Sequence, residues 1–123
     1  MNSTIAGRLK QAGLVLPAFA PPKYQYLSAT RAGSLLFLSG KTPQRDGQVV
    51  HPGRLGAEVG PELGREAARI AALNLLAAIE HEVGLEHVRS LAKVTTFVAS
   101  ADGFTQQPLV ADAASEAAAE PQD

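Results

Sequence analysis

The residues with the clearest capacity for chemistry follow a short apolar run, Leu35–Leu38, which ends in Ser39, Gly40 and Lys41. A serine hydroxyl both donates and accepts hydrogen bonds, so Ser39 could orient a ligand or a water molecule at the end of a strand. Gly40 would let another backbone or a ligand approach closely. The same residues are also typical of a strand that ends in a turn. Taken alone, they favour the turn over a ligand site.

The other residue types that support catalysis form no recognisable motif. The chain has no cysteine, which excludes disulfides, a thiol nucleophile and thiolate metal ligands. Its histidines, His51, His81 and His87, lack metal-ligand spacing and are predicted to lie on the surface. There is no serine-hydrolase elbow and no glycine-rich phosphate loop. Arg65 and Arg69 share a helix face, where we predict that they are solvated and paired with neighbouring glutamates. The sequence therefore predicts no metal site.

The composition is that of one soluble domain spanning residues 1–123. Apolar residues make up 46% of the chain but aromatic residues only 5%, so the predicted core is rich in alanine. The net charge of −1 argues against nucleic-acid binding driven by bulk electrostatics. No apolar run is long enough to span a membrane, and the first residues lack the pattern of a signal peptide. We therefore expect a cytoplasmic protein.

Helical periodicity is strongest in the middle of the chain. A helix is predicted over Pro61–Val83, with Pro61 in its first turn and Gly84 just beyond its end. Asn74 lies on or beside the apolar stripe of this helix, where a structural hydrogen bond is favoured over a catalytic role. Two further helices are predicted, a short one capped by Asn2 or Ser3 and one that is capped by Asp102, begins near Phe104 and extends to about Glu120.

Alternating and β-branched residues predict the strands that would carry Ser39. These strands are Tyr24–Arg31, Ser34–Ser39, Gln48–Val50 and Ser90–Ala99, the last of them in the interior of a sheet. Asp46-Gly47 is a strong turn signal between two of them. The order of elements predicts an α+β fold with a mainly antiparallel sheet that is covered by helices on one face.

The ordered set of these residues resembles the reactive-intermediate deaminase family (Rid, YjgF-like or endoribonuclease L-PSP-type). Its N-terminal half is matched by Tyr26, Gly33, Ser39-Gly40, Pro43 and Asp46-Gly47. Its central helix and next strand are matched by residues 74–79 and 93–98, followed by Phe104. The chain then divides into a helix and proline-rich arm (1–22), a family-like core (23–115) and a divergent tail (116–123).

The resemblance implies a chorismate-mutase-like fold, in which a mainly antiparallel sheet is backed by two helices. It implies a homotrimer with ligand sites in the clefts between subunits. The implied activity is hydrolysis of reactive enamines and imines, formed by pyridoxal-phosphate enzymes, to 2-keto acids and ammonia without any cofactor. The implied ligand is a small carboxylate, with Tyr26 and Ser39 as the matching catalytic residues. Gly40, which would let a ligand come close, and Lys41 and Arg54, whose charges could attract a carboxylate, are the predicted ligand-binding residues.

Several positions depart from the family pattern. Lys41 replaces the usual glutamine, and Pro108 stands where an asparagine is expected. The late arginine that holds the substrate carboxylate has no counterpart, because the family-like sequence ends near Ser115. We therefore expect the C-terminal strands to be missing or replaced and deaminase activity to be weak or absent. Two alternatives stay open: a trimeric protein that binds small metabolites without catalysis and, least favoured by the charge, an RNA-acting protein.

Overall fold

One long helix organises the described structure, because the last helix, a short strand and a 3₁₀ turn lie against it. The computed structural model of the protein describes residues 5–119, so Asn2, Ser3 and the end of the divergent tail lie outside the described residues. The described elements are α1 (Ile5–Gln11), β1 (Ala29–Ala32), β2 (Leu35–Leu38), β3 (Gln44–Arg45), β4 (Gln48–Val49), α2 (Pro61–Glu82), a 3₁₀ turn (Leu85–His87) and α3 (Gln107–Ala119). Within residues 5–119 no helix is long and apolar enough to cross a membrane.

The predicted start of α2 at Pro61 is confirmed, and the helix ends at Glu82, one residue before the predicted Val83. Pro61 lacks a backbone N–H, which the first turn of a helix would leave unpaired in any case, and Glu62 complements the positive end of the helix dipole. Gly84 follows the helix with a φ of 82°, a left-handed conformation that suits glycine. Its N–H donates to the carbonyl oxygen of Ile79 at 3.1 Å, which satisfies one of the last free carbonyls of the helix.

The first half of α2 packs against α3 through small side chains. The buried residues of this cluster are Leu55, Val59, Ala68, Ala72, Val110, Ala113, Ala114 and Ala117. Gly64 lies so close to Leu55 that an added Cβ atom would sit 2.5 Å from Leu55 Cδ1. Alanine and glycine therefore set how closely α2 approaches its neighbours.

The predicted start of α3 is corrected by three residues. The chain first forms a turn in which the Phe104 N–H donates to the carbonyl oxygen of Ala101 at 3.1 Å and Gly103 has a φ of 84°. A helix cannot pass through that left-handed position, so α3 begins at Gln107. Asp102 consequently does not serve as its N-cap.

The second half of α2 covers a separate apolar cluster. Its buried members are Leu9, Leu14, Leu76, Ile79 and Leu85, and Leu38 of β2 packs against them. The cluster explains how a helix as short as α1 persists, since an isolated helix of that length is marginal in water. The chain leaves α1 through Gly13, whose φ of 73° is a left-handed conformation that suits glycine.

The predicted single sheet is replaced by two antiparallel hairpins. β1 pairs with β2 in the register Ala29↔Leu38 to Ala32↔Leu35, and the hairpin turns at Gly33, whose φ is 61°. β1 begins later than the predicted strand Tyr24–Arg31, because its ladder with β2 starts at the pair Ala29↔Leu38. In the second hairpin, Asp46 and Gly47 have φ values of 54° and 80°, as a two-residue type I′ turn requires.

Residues 90–99, predicted to be an interior strand, form no ladder within the described part of the chain. Ser100 makes an isolated parallel bridge to Leu55, and Phe97 is 93% exposed. The β-branched composition is typical of an interior strand. A strand also needs a neighbour that pairs its backbone groups, and no described strand pairs with this segment. This part of the fold prediction is therefore wrong for the isolated chain.

Candidate functional site

Ser39 lies directly opposite Ser28, one pair beyond the ladder of β1 and β2. Its backbone N–H donates to the carbonyl oxygen of Ser28 at 3.0 Å, and its Oγ donates to the same oxygen at 3.1 Å. Ser28 is buried, with 7% of its surface exposed. The strand end that carries Ser39 is therefore held by both the backbone and the side chain.

The side-chain amine of Lys41 lies beside this pair of serines. Its Nζ donates to Ser28 Oγ at 3.1 Å, and its side chain is half-buried. Burial lowers the pKa of the Lys41 ammonium below its ordinary value, while the negative charge of Glu82 partly opposes that shift. Ser28, Ser39 and Lys41 together form what we call the serine–lysine cluster. Its hydroxyls and amine can hydrogen-bond a carboxylate or carbonyl oxygen and orient a water molecule.

Asn74 of α2 holds the loop that follows the serine–lysine cluster. Its Nδ2 donates to the carbonyl oxygens of Thr42 and Gln44, both at 3.0 Å. The prediction that Asn74 is a structural hydrogen bonder is confirmed. The long helix thus fixes the loop from Lys41 to β3, although Asn74 has no described contact with the cluster itself.

Gly40 joins Ser39 to Lys41, and an added Cβ atom there would meet no heavy atom within 4 Å. No described backbone segment therefore comes so close that position 40 has to be a glycine. The open space beside it agrees with room for a ligand, and its ligand-binding role stays a prediction.

The described contacts of Tyr26 and Arg54 lie elsewhere. Tyr26 is half-exposed, and its backbone N–H donates to the Tyr24 carbonyl oxygen at 2.9 Å. The Arg54 N–H donates to Glu58 Oε1 at 2.8 Å. Backbone hydrogen bonds from Arg54 and from its own N–H lower the pKa of the Glu58 carboxyl. In the described chain Ser39, Gly40 and Lys41 are brought together, whereas the roles of Tyr26 and Arg54 stay predictions.

Ser28 is the member of the site that the sequence interpretation missed. The signal was present in the hairpin register, since a turn at Gly33 that pairs Ala29 with Leu38 must also set Ser28 opposite Ser39. A strand that is predicted to begin at Tyr24 contains Ser28 in its interior, so its length alone does not mark Ser28 as the partner of the strand end.

A cavity of about 360 Å³ lies elsewhere, beside α2 and α3, and shares no lining residue with the cluster. Its charged lining consists of Glu62, Arg65, Glu66, Arg69 and Glu116. Arg65 donates to the Leu109 carbonyl oxygen and to Glu116 Oε2, the latter at 3.1 Å, rather than pairing with its helix neighbours as predicted. Because carboxylates outnumber guanidiniums in this lining, we do not assign the carboxylate ligand to it.

The histidines lie apart from the serine–lysine cluster. His51 is half-buried, and its Nε2 lies 3.2 Å from Glu66 Oε2 without making a hydrogen bond in the described chain. His81 stacks on Phe19 with ring centroids 4.0 Å apart. Among residues 5–119, no three histidine, aspartate or glutamate side chains lie close enough to hold a metal ion.

Comparison with known proteins shows where the chain belongs. No protein-family model matches it. Protein TCP17 of Trypanosoma cruzi is 35% identical over 116 residues, which are 94% of this chain and 72% of that protein. The structure of an Agrobacterium tumefaciens protein of unknown function matches with a TM-score of 0.84 and 33% identity, over 96% of this chain and 72% of that one.

A second solved structure relates the fold to a named type of protein. A Shewanella oneidensis MR-1 protein that carries a provisional endoribonuclease name matches with a TM-score of 0.79 and 26% identity. The match covers 96% of this chain and 79% of that protein. The chain therefore belongs to the same protein family as TCP17, and its fold is that of the YjgF/L-PSP-like proteins.

Proposed function

We propose that the protein hydrolyses small imines and enamines derived from amino acids, releasing 2-keto acids and ammonia, and that the substrate lies at the serine–lysine cluster. The observation that supports this proposal is the Lys41 amine, held 3.1 Å from Ser28 Oγ beside the hydroxyl of Ser39. Such an arrangement offers one cation for the carboxylate of an α-imino acid and two hydroxyls that could bind its nitrogen or a water molecule. The YjgF/L-PSP-like fold agrees with this chemistry.

Each group has a distinct part in the proposed reaction. The Lys41 ammonium attracts the carboxylate, and the Ser39 hydroxyl orients the attacking water or the imine nitrogen. Addition of water to the C=N bond gives a carbinolamine, which expels ammonia and leaves the 2-keto acid. A lysine holds a carboxylate as a point charge, whereas an arginine would grip both oxygens and orient them. We therefore expect slow turnover.

Assembly is part of this proposal. We propose that copies associate into a trimer and that the substrate cleft lies between subunits, close to the serine–lysine cluster. Phe37, on the strand that leads to Ser39, is 60% exposed, and Phe97 is 93% exposed. Burial of such side chains between subunits would stabilise a chain with few aromatic residues.

The proposed reaction is tested by following 2-keto acid release from freshly generated 2-aminoacrylate. Ser39→Ala and Lys41→Met should each lower the rate by at least ~10-fold, since removal of one positioned hydrogen-bond donor in an active site costs ~10²–10³-fold. Lys10→Met removes an exposed lysine of α1 and should leave the rate unchanged. Turnover that persists in Ser39→Ala and Lys41→Met would move the reaction to another site. Saturable keto-acid binding without turnover would instead favour a metabolite-binding protein.

An RNA-cleaving function is the second candidate, because the Shewanella oneidensis relative carries a provisional endoribonuclease name. The net charge of −1 gives the chain little general attraction for RNA. The assay follows cleavage of a labelled RNA. A cleavage activity that co-purifies with the protein through two columns and is lost in Lys41→Met would favour this function over imine hydrolysis.

A further inference from the structure

Lys41 has an environment that suits a reactive amine. Its Nζ donates to the hydroxyl of Ser28, a neutral acceptor that is itself buried, with 7% of its surface exposed. Among residues 5–119, no carboxylate forms an ion pair with this nitrogen, although Glu82 exerts a weaker attraction. The side chain is half-buried, so the amine has lost part of its hydration but is still accessible from solvent.

We propose that Lys41 is a nucleophilic amine that captures small aldehydes and ketones, 2-keto acids included, as a covalent imine. The lone pair of the neutral amine adds to the carbonyl carbon, and a proton moves from nitrogen to oxygen to give a carbinolamine. Loss of the hydroxyl group as water forms the C=N bond. Water reverses both steps, so no oxidant, reductant or further reactant is needed.

Ser28 has a positioning role in this capture. The hydrogen bond between Lys41 Nζ and Ser28 Oγ fixes the position of the nitrogen and leaves its other tetrahedral directions turned away from the buried hydroxyl. Burial lowers the pKa of Lys41, which enlarges the neutral fraction at a given pH. The ammonium form that attracts carboxylates and the free amine that adds to carbonyls are two protonation states of the same nitrogen. Capture therefore does not require the hydrolytic reaction proposed above.

The test traps the imine by reduction and compares the lysines of the folded protein. The full chain is incubated with pyruvate, or with propanal as a carbonyl compound without a carboxylate, and with sodium cyanoborohydride. Peptide mass mapping then gives the initial rate at Lys10, Lys23, Lys41 and Lys93. We expect the fastest modification at Lys41 with both compounds and loss of this preference in urea. A Lys41 rate no higher than that of Lys93 in the folded protein overturns the inference.

Two variants separate nucleophilicity from folding and from turnover. Lys41→Arg keeps the charge but not the nucleophile and should lose the fast site while its melting curve stays close to that of the wild type. Ser28→Ala should slow modification at Lys41 but not at Lys93, and an unchanged Lys41 rate would remove Ser28 from the capture. Hydrolysis of 2-aminoacrylate without trapping at Lys41 overturns this inference alone. Trapping at Lys41 without hydrolysis upholds it and overturns the proposed function.

Discussion

The side-chain amide of Asn74, on α2, donates a hydrogen bond to the backbone carbonyl oxygen of Thr42, 3.0 Å away. The same nitrogen reaches the carbonyl oxygen of Gln44, also at 3.0 Å, so the loop after Lys41 depends on one amide group. Asn74→Asp keeps the shape but turns this donor into an acceptor that faces two carbonyls. We expect the free energy of unfolding in urea to fall by about 1–2 kcal/mol, because both carbonyls lose a donor.

The matched control for Asn74→Asp is Glu80→Gln, which makes the reverse chemical change at an exposed position of the same helix. It should change the free energy of unfolding by less than about 0.5 kcal/mol. If Asn74→Asp is as stable as the wild type, the two hydrogen bonds do not hold the loop in solution.

Gly64→Ala tests how tightly α2 packs against the loop at Leu55. In an exposed helix this change would stabilise the protein by about 1 kcal/mol. Here the new Cβ atom would lie 2.5 Å from Leu55 Cδ1, so we expect overpacking to outweigh the helical gain and to lower the free energy of unfolding by about 1 kcal/mol. Urea denaturation measures the difference.

A double-mutant cycle shows whether Leu55 is the cause. Leu55→Ala makes room for the new methyl group, so the combination with Gly64→Ala should cost less than the sum of the two single changes. Gly60→Ala is the control, since no heavy atom lies within 4 Å of its added Cβ atom. A more stable Gly64→Ala protein would show that Leu55 moves aside without cost.

The stability of the protein should depend on pH through Lys41. Because burial lowers its folded-state pKa below the ordinary 10.5, the unfolded chain binds more protons between those two pKa values. The free energy of unfolding therefore rises with pH across that window, as the desolvated charge is lost from the folded state. Lys41→Met removes this contribution. The free energy of unfolding of the variant minus that of the wild type should therefore be greatest below this window and should decrease as the pH approaches 10.5. Urea titrations from pH 7 upward test this, with exposed Lys93→Met as the control for loss of one charge.

Phe97 tests the proposed assembly. Its side chain is 93% exposed in the isolated chain, within a segment that joins no described ladder. If that segment lies between subunits, Phe97→Asp should shift the mass measured by light scattering towards that of a monomer. Val15→Asp, at an apolar side chain that is 82% exposed on a different part of the chain, should not. A wild-type monomer at micromolar concentration would contradict the assembly itself.

Helix ends and turns that depend on one or two neighbouring residues could be predicted from the sequence. The ends of α2 follow from Pro61 and Gly84, and the second hairpin follows from Asp46-Gly47, because in each case one residue's permitted φ decides the outcome. Asn74 was also interpretable, since a lone amide on an apolar stripe must find a hydrogen-bond partner when it is buried.

The parts that could not be predicted depend on distant partners. The segment 90–99 has the composition of a strand, but its backbone needs a neighbour that the segment does not encode. The link between Lys41 and Ser28 spans the hairpin, so neither residue alone indicates it. Arg65 likewise finds Glu116 on α3 instead of a helix neighbour, because the close packing of the two helices brings that carboxylate within 3.1 Å.

The alanine contacts between α2 and α3 have a consequence for the entropy of folding. Alanine has no side-chain rotamers to lose, so Ala68, Ala72, Ala113, Ala114 and Ala117 become buried without any ordering of their side chains. The cost of docking the two helices is then almost entirely a cost of the backbone. An interface made of leucine or methionine at these positions would also have to order those side chains.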